Sequence, residues 1–115
     1  CERVAAALGE KAVVVAGELE IRSLCALQEL AALAIAPGCG ALHLASAVDT
    51  PVLGIFPPLI SLSAKKWHPL GTKVATLNPF EESCKKCKHE KCCHFPCLDS
   101  IKDEAVDKAL DKLFP

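Results

Sequence analysis

The chain contains no methionine and no tyrosine, and only one tryptophan and four phenylalanines among its 115 residues. Aromatic side chains this scarce argue against a base-stacking platform for single-stranded nucleic acid. An excess of charge is missing too. Thirteen Lys and Arg stand against fourteen Asp and Glu, for a net charge of −1. No chain-wide basic field therefore draws nucleic acid or an anionic membrane. Gly, Pro or a charged residue interrupts every apolar run well short of the roughly 20 residues that a membrane span needs. No basic stretch precedes a hydrophobic block, so no export signal is read and a cytoplasmic home is expected. The chain opens at Cys1 on ERVAAAL, which already reads as the end of a helix. With no initiator present, that opening predicts a piece of a larger protein.

Hydrophobic residues make up 51% of the chain, enough for a packed core in one domain of ordinary size. Eight cysteines are many for this length. Five crowd into residues 84–97, and Cys1, Cys25 and Cys39 are scattered. A secreted disulfide scaffold spreads its cysteines and has little core. A reducing compartment with a local thiol or metal cluster fits this pattern better.

Periodicity predicts alternating helices and strands. Residues 2–8 read as a helix stopped by Gly9, and the β-branched run 11–16 as a buried strand. Ile21, Leu24, Leu27 and Leu30 recur at helical spacing over 20–30. Residues 33–36 form the next strand, 41–48 a helix, and 52–56 a third strand ended by Pro57 and Pro58. Residues 59–72 read as a loop and 73–77 as a short strand. A Cys-rich loop covers 78–99. The closing helix lies within 100–115, with Ile101, Ala105, Ala109, Leu110 and Leu113 on one side and Asp99 or Ser100 as its cap. The order implies an α/β fold, a mostly parallel sheet with helices on both faces.

The most informative stretch is Gly38-Cys39-Gly40-Ala41-Leu42-His43-Leu44-Ala45. Strand, glycine-rich turn, helix and strand is the arrangement that offers backbone N–H groups to a phosphate. Glycine permits close approach, and the helix N-terminus carries partial positive charge. The alternative is a tight strand-to-helix turn that needs glycine only for its geometry. Cys39 at this terminus reads either as an activated thiol or, in preference, as a small residue standing in for serine. His43 is a candidate phosphate or nucleotide contact, or a half-buried histidine satisfied by a carbonyl. Lys65 and Lys66 could meet phosphates, although such a pair more often forms a solvated surface.

From residue 17 to residue 58 the chain resembles the C-terminal domain of family 9 glycosyltransferases, the ADP-heptose:lipopolysaccharide heptosyltransferases. The residues carrying the likeness are Gly40-Ala41-Leu42-His43-Leu44-Ala45-Ser46-Ala47 and Thr50-Pro51-Val52-Leu53-Gly54-Ile55-Phe56-Pro57-Pro58, with the spacing back to Gly17 kept without a gap. Trp67-His68-Pro69-Leu70-Gly71 looks like the family's Pro-aromatic-Gly loop. Cys84, Cys87, Cys92 and Cys97-Leu98, followed by Ile101, look like its Cys-x-x-Cys…Cys…Cys-Met/Leu-x-x-Ile ending.

The resemblance implies that residues 1–115 form a single partial domain, the donor-binding half of a two-domain GT-B enzyme. The acceptor domain and the catalytic carboxylate would be absent from this chain, which carries no catalytic residue of its own. The donor would be ADP-heptose, held by Gly38, Cys39, Gly40, Ala41 and His43. The acceptor would be a lipopolysaccharide-core sugar reached through the missing domain, peripherally at the inner membrane and with no nucleic acid involved. Two departures stand out. Gly38 replaces the family's Asp and Cys39 its hydroxyl residue, while Pro57 and Leu59 replace a Gly and a Thr. Losing a charged acceptor of that kind costs roughly 1.5–3 kcal/mol of contact.

Cys84-x2-Cys87-x4-Cys92-Cys93-x3-Cys97 is a second candidate site. Four thiolates can wrap a tetrahedral metal, and the x2 spacing turns two sulfurs toward one ion. Adjacent Cys92 and Cys93 point in different directions, so Cys84, Cys87, Cys92 and Cys97 are the expected ligands, with His89 and His94 as substitutes. Zinc or iron suits such a set, and a closed shell would be structural. A metal-free cysteine loop, reduced or disulfide-linked, is the competing expectation. A degenerate relative serving as a metal-stabilised interaction domain without catalysis is the rival functional reading.

Overall fold

The computed structural model describes residues 1–80, 84–92 and 94–115, and the side chain of His89 lies outside that description. Three strands form one parallel sheet in the order β1 (Ala34–Pro37), β2 (Val52–Ile55), β3 (Val74–Leu77). Ala34 pairs with Val52 and Val52 with Val74, so the strands are in step and their carboxyl ends lie together. Pro37 ends β1, which pairs on one side only among the described residues. A residue without an N–H is tolerated on such an edge.

Side-chain alternation along β2 feeds two cores, as expected for a strand covered on both faces. On one face Val52, Phe56 and Val74 pack with Leu42 and Ala45 of helix Gly40–Ala47. On the other, Leu53, Ala75 and Leu77 pack with Ala109 and Leu113 of helix Asp103–Leu113. The predicted α/β architecture with helices on both faces is therefore present.

The helices in chain order are α1 (Glu2–Leu8), α2 (Ile21–Glu29), α3 (Gly40–Ala47), α4 (Ala64–Trp67) and α5 (Asp103–Leu113). Gly9 stops α1 at φ 61°, a conformation open to glycine without steric cost. Asp103 and Glu104 begin α5 and Lys112 lies in its last turn, an order that complements the helix dipole.

Five expectations need correction. The run 11–16 is not a strand: residues 9–11 form a 3₁₀ turn, Ala12 is extended, and 12–15 have no regular structure and no ladder partner among the described residues. Val13 remains 85% exposed, and an open groove separates this segment from Ile35 and Pro37 of β1. β-branching favoured extended backbone here, but a strand also requires a paired edge. In α2 the Leu and Ile stripe is not buried. Leu24, Cys25 and Gln28 are the half-buried positions, whereas Ile21, Leu27 and Leu30 are exposed. In α5 Val106 takes the inward place expected of Ala105. Neither Asp99 nor Ser100 caps that helix. Lys102 occupies the cap position, and the Ser100 hydroxyl donates instead to the Cys97 carbonyl at 2.6 Å. Residues 59–72, expected as a loop, contain a 3₁₀ turn and the one-turn α4, pinned where Trp67 Nε1 donates to the Ser61 carbonyl at 2.8 Å.

Two glycines differ in what they tolerate. A Cβ at Gly54 would stand 2.7 Å from the Phe56 ring and 2.9 Å from Leu42. A Cβ at Gly40 would meet nothing within 4 Å. Gly54→Ala is expected to cost about 1–3 kcal/mol through overpacking. Gly40→Ala is expected to be neutral or to gain up to about 1 kcal/mol from helix propensity. Urea denaturation midpoints of the two variants check both.

Candidate functional site

α3 begins directly at the carboxyl end of β1, where open α/β sheets place their ligands. Its first turn is sparingly satisfied. Cys39 is the N-cap residue but makes no side-chain capping bond, and its thiol is exposed. The first amide bonded back into the helix is that of Leu42, which donates to the Cys39 carbonyl at 3.1 Å. The N–H groups of Gly40 and Ala41 have no acceptor among the described residues. Two orphan donors at a helix start, beside a glycine with open space around it, form an anion-binding arrangement.

Gly38 has a different reason to be glycine. A Cβ there would come within 2.4 Å of the Phe56 ring, so packing alone demands it. The structure thus separates the two glycines that sequence reasoning treated together. Gly38 serves the core, and Gly40 leaves the turn accessible.

The turn is held from behind by two residues that sequence reasoning did not single out as functional. Gln28 Nε2 donates to the Ala41 carbonyl at 2.9 Å, and the Thr50 hydroxyl donates to the Gln28 carbonyl at 2.6 Å. Together they tie α2 and the segment after α3 to the turn at the start of α3. Gln28 Oε1 is buried and has no partner among the described residues. The available signal was a glutamine one turn after Leu24, on the side of α2 that meets α3.

The structure brings Gly38, Cys39, Gly40 and Ala41 together in one turn. His43, whose N–H donates to the Cys39 carbonyl at 3.4 Å, is half-buried and lines a cavity of about 400 Å³ with Ser46, Asp49 and the 70–72 loop. That loop is docked by the Gly71 N–H, which donates to Ser46 Oγ at 2.8 Å. Lys65 and Lys66 are exposed on α4, with Lys66 Nζ 6.0 Å from the Trp67 ring centre.

The four predicted sulfur ligands share a cavity but do not form a metal-holding group among the described residues. Cys84, Cys87, Cys92 and Cys97 line one cavity of about 360 Å³ at the carboxyl ends of β2 and β3, beside Pro57 and Phe80. Among the described residues no three Cys, His, Asp or Glu side chains already stand close enough to hold a metal ion. Of the other candidates, Cys93 and the His89 side chain lie outside the described residues. His94 lies against Phe80 at 5.0 Å between ring centres, with the rings tilted by 45°.

The model of the family described as glycosyltransferase family 9 (heptosyltransferase) matches residues 1–97. The chain belongs to glycosyltransferase family 9. This family has a GT-B type fold, and its chemistry is glycosyl transfer from a nucleotide-sugar donor to a glycan acceptor. The match contains the α3 turn and the whole cysteine stretch 84–97, and ends before α5. No curated protein and no solved structure gives a match. Among the described residues no helix is long and apolar enough to cross a membrane.

Ser46→Ala strips the Gly71 N–H of its acceptor at a buried position. It is expected to cost about 1–3 kcal/mol, the penalty for an unsatisfied donor, in urea denaturation.

Proposed function

We propose that this chain is the donor-binding half of a heptosyltransferase, which moves heptose from ADP-heptose to a lipopolysaccharide-core sugar with inversion. The observation that carries the reading is the pair of unbonded amides at Gly40 and Ala41, presented by a glycine that nothing else crowds. They would donate to the donor's diphosphate and stabilise the charge that develops on it as the glycosidic bond breaks. The acceptor and the general base would come from the second domain of the enzyme, because this turn offers no carboxylate. The cytoplasmic face of the inner membrane is the compartment consistent with such a donor and acceptor.

One feature favours a second reading, a degenerate relative retained as an interaction domain. The Phe56 ring fills the space that any side chain at residue 38 would need, so the family's Asp has no room there without rearrangement. Sugar contacts from that position are then lost, and only the backbone cradle remains.

Calorimetric titration with ADP separates the two. The donor reading predicts saturable binding that Gly40→Ala weakens by about tenfold, or about 1.4 kcal/mol, while leaving stability intact. No heat of binding at millimolar ADP would leave the interaction-domain reading standing alone.

A further inference from the structure

We infer that Gln28 is the positioning residue of the α3 turn: its side-chain amide stands in for a helix cap and leaves the N–H groups of Gly40 and Ala41 to a diphosphate. This role rests on the donor-site reading of the same turn.

The first turn of α3 lacks the usual means of holding a helix start. Ser, Thr, Asp or Asn at the N-cap accepts from the second or third amide of the helix. In α3 those amides belong to Ala41 and Leu42, and Cys39 makes no side-chain bond to either. A helix of eight residues without that bond is prone to fray at its start. A capping oxygen would steady the turn, but it would also occupy an amide that an anion needs. Gln28 avoids the conflict. Its Nε2 donates to the Ala41 carbonyl at 2.9 Å, so Ala41 is gripped through its acceptor. The Ala41 N–H keeps no acceptor among the described residues.

Gln28 is itself anchored. Its carbonyl accepts from the Thr50 hydroxyl at 2.6 Å and from the Ala31 N–H at 2.9 Å. Thr50 is buried, and its own N–H donates to the Ala45 carbonyl at 3.1 Å. One residue thus joins the last turn of α2, the start of α3 and the lead-in to β2. Packing does not do this instead. No residue of α2 is fully buried, and its Ile21 and Leu27 are exposed.

The other half of the Gln28 amide carries the inference further. Oε1 is buried without a partner among the described residues. Rotating the amide would not relieve it, because oxygen would then face the Ala41 carbonyl oxygen and the bond would be lost. A buried acceptor left unpaired weakens a fold, and an apolar side chain of similar length avoids that penalty. Stability alone therefore gives little reason for glutamine at this position. What the amide supplies, and a methionine would not, is a fixed Ala41. Donors held in place before the anion arrives bind it without an ordering cost.

The test follows inorganic pyrophosphate binding and urea denaturation in the full chain and in Gln28→Met. The variant is expected to keep or raise the denaturation midpoint while losing about tenfold in pyrophosphate affinity. In the wild type, one proton of the Gln28 side-chain amide is expected to exchange slowly with solvent. Saturating pyrophosphate should slow it further, because a ligand that needs the grip must tighten it in return. Three outcomes would overturn the positioning role while the donor reading stands: unchanged affinity in Gln28→Met, an affinity loss that comes only with a lowered midpoint, or a Gln28 amide whose exchange ignores bound pyrophosphate. A wild-type chain that binds no pyrophosphate overturns both. The wild-type exchange measurement decides even if the variant fails to fold.

Discussion

Phe56 is completely buried, and its ring lies under the two glycines that flank it in space. It occupies the volume that a Cβ at Gly38 would take on the β1–α3 turn and the volume that one at Gly54 would take on β2. One aromatic side chain thereby joins the turn to the centre of the sheet and packs with Leu42 of α3. The position of the α3 amides depends on this wedge, because the turn that presents them rests on it. A fully buried Phe side chain contributes about 1.5–3 kcal/mol, and close packing leaves its neighbours little freedom to shift.

From that point the site has two supports. Phe56 holds the turn from the sheet side, and Gln28 with Thr50 holds it from the α2 side through the Ala41 carbonyl. What faces outward is backbone: two N–H groups and an uncrowded glycine. In the proposed role, a cradle of this kind would hold a diphosphate without reading the sugar. Family membership gives the turn its chemical context, glycosyl transfer from a nucleotide-sugar. The substitution at residue 38 shows why sugar selectivity does not follow from it.

Much of the fold was legible in the sequence where a single pattern decided the outcome. β1, β2 and β3 are short apolar runs bounded by Pro or Gly, and α3 separates the first two, so their order could be read directly. The run 12–15 shows the limit. β-branched residues prefer extended backbone, but whether a ladder forms depends on a neighbouring edge that composition does not reveal. α2 shows another: its leucine stripe was clear, yet the packed side is set by Gln28, whose hydrogen bonds become visible only when α3 is beside it. The turn at residues 38–41 was recognisable as a phosphate-binding pattern, but sequence could not say which glycine served packing and which served access. The cysteine spacing suggested a four-thiolate metal site, and the lack of a metal-holding group among the described residues could not be read from spacing.

The central claim is that the amides of Gly40 and Ala41 hold the donor's diphosphate. Amide-resolved NMR of the isotopically labelled chain titrated with ADP tests this most directly. The account predicts saturable shifts largest at Gly40 and Ala41, reproduced by inorganic pyrophosphate and absent with adenosine. Shifts confined to other regions, with these two amides unmoved at saturating ADP, would contradict it.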